Sequence, residues 1–238
     1  MRISVLSLFP NLFDEFLKTS IVRLAQQKQI VKIEVINFRD YATDKHQKVD
    51  DTAFGGGAGM VLMLDPIVKC LQAIKTDSSK VYLLSPDGVL FEQSKAQNIA
   101  KTVDHLILIA GHYEGFDARI ENYVDGKISI GDYVLTGGEL PAMVVIESVV
   151  RLINDVINPA SLQHESFNNN LLDHPSYTKP AIYNEFKVPE VLLSGNHQAI
   201  EKFNLNEQIR ITKQNRPDLY VKYLKHTKGK TNGKSKNK

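Results

Sequence analysis

Apolar and polar positions along this 238-residue chain switch between two periods, and the switches lay out the fold. Arg2–Leu8 is a short, nearly continuous apolar run that reads as a buried strand. Pro10-Asn11 then opens a 3.6-residue pattern reaching Lys28, and Val31–Phe38 alternates as a second strand. Residues 39–60 have little periodicity and read as a long loop, of the kind that is usually functional or mobile in a compact domain. Asp65-Pro66 reads as an N-cap and first-turn pair for a helix with Ile67, Val68, Leu71 and Ile74 on its apolar face. The pattern then predicts a strand at Lys80–Leu84, a turn at Ser85–Gly88, a helix at Gln93–Thr102 and a strand at His105–Ala110. A short helix at Asp117–Tyr123, a strand at Lys127–Ile130 and a long apolar helix at Ala142–Ile153 follow. Strands alternating with helices predict an α/β fold whose parallel sheet is covered on both faces.

Beyond that helix the character changes. Asn154–Pro175 is polar and asparagine-rich and reads as a linker, placed at residues 159–175 between an α/β domain at 1–158 and a smaller helical domain at 176–224. Helical patterns at Asn196–Gln214 and Pro217–Leu224 carry that second domain. Residues 225–238 hold six lysines and no acidic residue, which reads as a solvated, disordered tail. The net charge of +2 does not by itself announce nucleic acid. With 42% hydrophobic and 24% charged residues the composition is that of an ordinary soluble domain. No apolar run has the length of a membrane span, and MRISVLSLFPNLF lacks the build of a signal peptide. The single cysteine, Cys70, has no internal disulfide partner and lies in an apolar helical pattern, so a cytoplasmic chain with a buried thiol is expected.

Candidate chemistry collects where apolar strands meet glycine loops, the usual ligand edge of an open α/β sheet. Phe54-Gly55-Gly56-Gly57-Ala58-Gly59-Met60 is too glycine-dense for an ordinary loop tip, yet it lacks the Lys-Ser/Thr of a phosphate loop and the spacing of a dinucleotide fingerprint. Leu84-Ser85-Pro86-Asp87-Gly88 is a turn that could wall a crevice. In Gly111-His112-Tyr113-Glu114-Gly115-Phe116-Asp117 two glycines bracket titratable side chains, and Asp117 reads as a helix cap. The segment from Ser129 to Glu139 is apolar and glycine-rich at once, so its backbone must be tightly placed and needs hydrogen-bond partners, which an adenine and a ribose would supply. Arg151 ends an apolar run whose only charge is Glu147; it reads either as a charge at a helix C-terminus or as an arginine held at the mouth of the crevice. Glu165 and Asp173 place carboxylates around the polar stretch. No zinc spacing, ordered Ser/His/Asp set or cysteine nucleophile is visible.

Taken together, GGGAGM, LIAGHYEGFDARI, ISIGDYVLTGGELPAMVVIESVVR, DHPSYTKP, VPEVLLSGNH and TKQNRPDL closely resemble the bacterial tRNA (guanine-N1)-methyltransferases, in order, from Met1 to about Leu224. That family belongs to the trefoil-knotted (SPOUT) enzymes that use S-adenosylmethionine. The resemblance implies a deep knot in the C-terminal part of the α/β domain, which the rarity of knots would otherwise exclude, and a homodimer with shared active sites. It implies that S-adenosylmethionine binds at Leu84, Ser85, Pro86, Gly111, Tyr113, Ser129, Ile130, Gly131, Asp132, Tyr133, Val134, Leu135, Gly137 and Gly138, with Asp173 at the methionyl amino group. The implied substrate is tRNA with guanosine at position 37, preceded by another G. Glu165 takes the place of the base that removes the N1 proton, in a Glu-Ser-Phe sequence where the family has Asp-Ser-Phe. Arg151 takes the place of the arginine that stabilises charge on guanine O6. A divalent cation, magnesium, is implied for activity.

Three other readings compete. A knotted enzyme acting on ribose 2′-hydroxyls or ribosomal RNA would share the cofactor loops but not need the Glu165–Arg151 pair. A non-catalytic RNA-binding relative would have lost methyl transfer, against which the intact glycine loops and the presence of both Glu165 and Arg151 count. A phosphate-cleaving nucleotidase would need a phosphate loop or a metal-carboxylate cluster.

Overall fold

The computed structural model describes residues 1–163 and 165–234. These form two compact units, Met1–Asn158 and Pro159–Lys238. In the first, β1 (Arg2–Ser7) leads through a 3-10 turn at Pro10–Phe13 to α1 (Asp14–Leu17), α2 (Ser20–Gln27) and β2 (Lys32–Asn37). A ribbon of β3 (Asp50–Asp51) and β4 (Val61–Leu62) precedes α3 (Leu64–Ile74), β5 (Ser79–Leu90), α4 (Gln93–Thr102) and β6 (His105–Ile109). A 3-10 turn at Ala118–Tyr123, β7 (Gly126–Ser129) and α5 (Glu139–Val150) complete the unit.

The sheet has five strands in the order β2-β1-β6-β5-β7, every pair parallel. Its centre is apolar throughout because it is covered on both sides. Leu106, Leu108 and Ala110 of the β6 segment join Ile3, Val5 and the faces of α2, α4 and α5 in one core. Ile107 and Ile109 point the other way, into a second core with Leu6, Phe38, Leu62 and Ile67. The period of two in strand side chains thus splits one continuous apolar run between two layers.

Several expected boundaries move, each for a local reason. The single helix expected over 10–28 breaks at Thr19, whose hydroxyl donates to the Glu15 carbonyl at 2.6 Å, while Ser20 takes φ +50°. Asp65 is not the cap of α3: the helix starts at Leu64 after Met63, and Asp65 pairs with Lys69 at 2.7 Å one turn on. α5 begins at Glu139 rather than Ala142, since Pro141 is tolerated in a first turn, and it ends at Val150. The turn expected to end a strand at Leu84 is an excursion within β5, because Leu84 and Val89 both pair with Ile128 before Leu90 pairs with Ser129. Residues 85–88 therefore bulge around β7, and a Cβ on Gly88 would lie 2.5 Å from the Ile128 backbone.

The second unit contains α6 (Pro159–Gln163), a 3-10 turn at Asn168–Asn170, the hairpin of β8 (Ile182–Tyr183) and β9 (Phe186–Lys187), α7 (Glu190–Leu193), α8 (His197–Asn215) and α9 (Pro217–Lys234). The segment expected as a flexible linker, 159–175, carries structure. Leu171 is buried, and the Leu172 N–H donates to the Thr212 hydroxyl of α8 at 2.8 Å. The tail expected from 225 also differs: α9 runs on through Lys234, past the isolated Gly229 and Gly233, with no proline after Pro217 to stop it. Residues 235–238 of that tail lie outside the described residues.

Candidate functional site

Three loops leave the same edge of the sheet and enclose a cavity of about 280 Å³. Leu84, Ser85 and Pro86 come from the β5 excursion, Gly111–Phe116 from the loop after β6, and Ile128–Gly131 with Tyr133–Gly138 from the loop after β7. Pro141, in the first turn of α5, closes the lining. Thirteen of the fifteen residues expected at the methyl donor lie in this wall. Asp132 is exposed and outside it, and Asp173 belongs to the second unit.

The loops are locked mainly by backbone. The Gly138 N–H donates to the Gly111 carbonyl at 2.7 Å, and His112 bridges Gly137. A Cβ on Gly138 would sit 2.7 Å from the Ala110 Cα, so only glycine lets the two loops close to this distance. Below, the Glu114 N–H donates to the Met60 carbonyl at 3.0 Å and the Leu62 N–H to the Gly115 carbonyl at 2.8 Å. Between those anchors Tyr113 takes φ +59°, a left-handed conformation that costs a non-glycine residue about 1 kcal/mol and concentrates at functional sites. After β7 the Ser129 hydroxyl donates to the Gly131 carbonyl at 3.2 Å, which shapes the opposite wall.

Charged pairs hold the outer rim. Lys127 bridges Asp87 and Glu121, and the Ser85 hydroxyl donates to Asp87 at 2.5 Å. Lys127 and then Ser85 hold the Asp87 carboxyl below its usual range, and the same two acids raise the Lys127 ammonium. Asp117 caps the Ala118–Tyr123 turn through the Arg119 N–H, and the Arg119 guanidinium brings its carboxyl down to about 2. Asp117 thus has the capping role read from the sequence.

Two features of the wall escaped the reading of the sequence. Glu139 is buried in the first turn of α5 and accepts from the buried Ser7 hydroxyl at 2.8 Å, so the end of β1 supports the glycine loop. The only local signal was an acid following a glycine pair at the start of an apolar helix. His112, left without a role, lines the cavity with its Nδ1 buried and without a hydrogen-bond partner. Its ring meets Phe9 and Tyr113 edge-on at 4.8 and 5.1 Å.

The family model for tRNA (guanine-1)-methyltransferase matches residues 1–222. The chain is 59% identical to a tRNA (guanine-N(1)-)-methyltransferase of Malacoplasma penetrans, over 94% of this chain and 99% of the relative. It is 54% identical to that of Ureaplasma parvum, over 96% and 100%, and 55% identical to that of Mycoplasma pneumoniae, over 94% and 96%. The chain belongs to the tRNA (guanine-1)-methyltransferase family.

Arg151, Glu165 and Asp173, the other residues that the resemblance implies, are not among those that line the cavity. Arg151 caps the C-terminal end of α5, its N–H donating to the Glu147 carbonyl at 3.3 Å. The helix has 12 residues, which at 1.5 Å per residue puts Arg151 about 18 Å from the end that lines the cavity. Of the two readings of Arg151, the structure places it at the helix C-terminus. Glu165 is half-buried in the second unit, where its carbonyl accepts from the Asn168 N–H at 3.2 Å. Asp173 receives the His174 N–H on its carboxylate at 2.7 Å and donates its own N–H to the Ser166 hydroxyl at 2.9 Å. Among the described residues no group of three or more His, Cys, Asp or Glu is arranged to hold a metal ion, and no helix is long and apolar enough to cross a membrane.

Proposed function

We propose that the protein methylates N1 of guanosine 37 in tRNA with S-adenosylmethionine as donor, inside a knotted domain and as a homodimer. The observation that carries this reading is the cavity itself, which brings three glycine-bearing loops of the family's motifs to one edge of the sheet. Its donor set fits a nucleoside: Leu84, Ile128, Ile130 and Leu135 offer apolar surface for a base, and the glycine backbone offers hydrogen bonds. Leu84, Ser85, Pro86, Gly111, Tyr113, Ser129, Ile130, Gly131, Tyr133, Val134, Leu135, Gly137 and Gly138 would hold the donor, with Asp173 on its amino group. When bound, S-adenosylmethionine supplies an electrophilic methyl. The bulge of residues 85–88 around β7, followed by the return of the glycine loop to Gly111, supports the knotted path.

Guanine N1 carries a proton at neutral pH, so a positioned base must take it. Glu165 has that role, and Arg151 stabilises the charge that gathers on O6 as the proton leaves. An arginine about 18 Å along its own helix from the cavity supports a site completed by a second copy of the chain. Val134, 87% exposed beside the cavity, and the exposed Leu140 and Val144 on α5 are apolar surface that such a partner would cover. The magnesium ion implied by the resemblance has no evident donor cluster among the described residues, and none of these steps runs through it.

The test is transfer of labelled methyl to tRNA transcripts with G or A at position 37. Label in the G37 transcript alone is expected; label in both points to a ribose-directed enzyme, and label in neither overturns methyl transfer to tRNA. Glu165→Gln should lower kcat roughly 10²- to 10⁴-fold, the usual contribution of a positioned base, with donor binding unchanged. Glu165→Asp should restore most of the rate.

A further inference from the structure

A ribbon rooted in the cavity wall ends in an aromatic ring that touches little. β3 and β4 pair Asp50 with Leu62 and Asp51 with Val61. In the loop between them the Gly56 N–H donates to the Ala53 carbonyl at 3.2 Å, and Gly55 takes φ +89°. A type II turn requires that positive φ at its third residue, which leaves Phe54 at the outward corner. Phe54 is 103% exposed, as open to water as in an extended peptide. A Cβ on Gly55, Gly56 or Gly57 would meet nothing within 4 Å, so these glycines set the backbone path and pack against no neighbour.

The foot of the ribbon is different. The Met60 and Leu62 backbone is bonded to Glu114, Gly115 and Asp117 of the cavity loop at 2.8–3.0 Å, and a Cβ on Gly59 would collide with the Glu114 side chain. The ring is thus carried by an arm whose root is the wall of the cavity. Its neighbours along the loop are Thr52, Ala53 and glycines, so on its own loop the ring is the one large apolar group. A single flat ring suits a single flat partner, and every nucleobase offers a π face.

We propose that Phe54 stacks on a nucleobase flanking the guanine that enters the cavity, holding the RNA while the base is presented. This rests on the reading of the protein as a tRNA methyltransferase. The substitution Phe54→Ala should raise KM for the G37 transcript roughly 10-fold, the scale of one base–aromatic stack, and Phe54→Tyr should stay within about twofold of the parent. Donor affinity, measured by calorimetry, and the oligomeric state, measured by light scattering, should not change. With 2-aminopurine placed on one side or the other of the target guanosine, fluorescence quenching on binding should weaken in Phe54→Ala at one of the two positions. Stacking is overturned if KM for Phe54→Ala is unchanged while the parent methylates G37. It is equally overturned if the substitution alters the oligomeric state, which would make the ring a protein contact, or weakens donor binding to the same degree. A parent enzyme that leaves the G37 transcript unmethylated overturns the functional reading and stacking with it.

Discussion

His105 opens strand β6 and His112 follows its end, and the two histidines meet opposite fates. His105 is buried at the N-terminal edge of the sheet with both ring nitrogens bonded, to the Ser4 hydroxyl at 3.0 Å and the Ser79 hydroxyl at 2.7 Å. His112 stands at the C-terminal edge with its Nδ1 buried and unpaired, among loops held by glycine contacts and a strained tyrosine. The His105 ring has met its polar requirements from within, although the Nε of Arg2, its neighbour on β1, is buried without a partner. The His112 ring leaves its Nδ1 unspent in the wall of a cavity, beside a left-handed tyrosine, and it is the cavity that separates this edge from the other.

The largest expected effect lies at the open edge. Gly138→Ala would force a Cβ against the Ala110 and Gly111 backbone. Overpacking of backbone on backbone should displace the wall, lowering unfolding free energy by ~1–3 kcal/mol and donor affinity by on the order of 100-fold. Calorimetric titration against a melting curve separates the two, and a variant that binds normally would erase the contrast between the edges. Mixed with Arg151→Ala, which has an intact cavity, this variant should regain about a quarter of the parent activity if the proposed homodimer forms, because half of such dimers are mixed and each then holds one complete site. No recovery would argue that each chain works alone.

At the closed edge the expectation is reversed. His105→Ala leaves the buried Ser4 hydroxyl without its partner and should lower unfolding free energy by about 2 kcal/mol, with KM for both substrates unchanged. The smallest effect is one of pH. Burial, and then the Arg2 charge, hold the His105 imidazole below its ordinary value, with Glu34 opposing. The folded state therefore prefers the neutral ring, and the unfolded state binds more protons once pH falls below the ordinary histidine value of 6.5. This contribution to stability is complete above that pH and declines beneath it. Denaturant midpoints at pH 7 and pH 5 should differ more in the parent than in His105→Gln; equal slopes would remove His105 from the account.

Much of this contrast was legible in the residues. The run at 106–110 showed a strand buried on both faces, and its halt at Gly111 showed where a site would form. Helix Gln93–Thr102 appears with the boundaries its periodicity implied. The strand excursion at 85–88 was not legible, because Ser-Pro-Asp-Gly is an ordinary turn sequence and only the distant Ile128 backbone makes it a bulge. Nor was the Ser7–Glu139 contact, whose partners are 132 residues apart. For Arg151 the place at the end of an apolar helix was legible, while its distance of about 18 Å along that helix from the glycine pair follows only once α5 is seen to begin at Glu139.

The bonds that join Gly138 to Gly111 and Gly137 to His112 belong to the main chain. An inhibitor that drew its own hydrogen bonds from peptide groups on this wall would meet a target whose contact atoms are the same in every amino acid except proline. Resistance by point mutation would then have to work through bulk, and at Gly138 added bulk displaces the wall on which the protein's own ligand must settle.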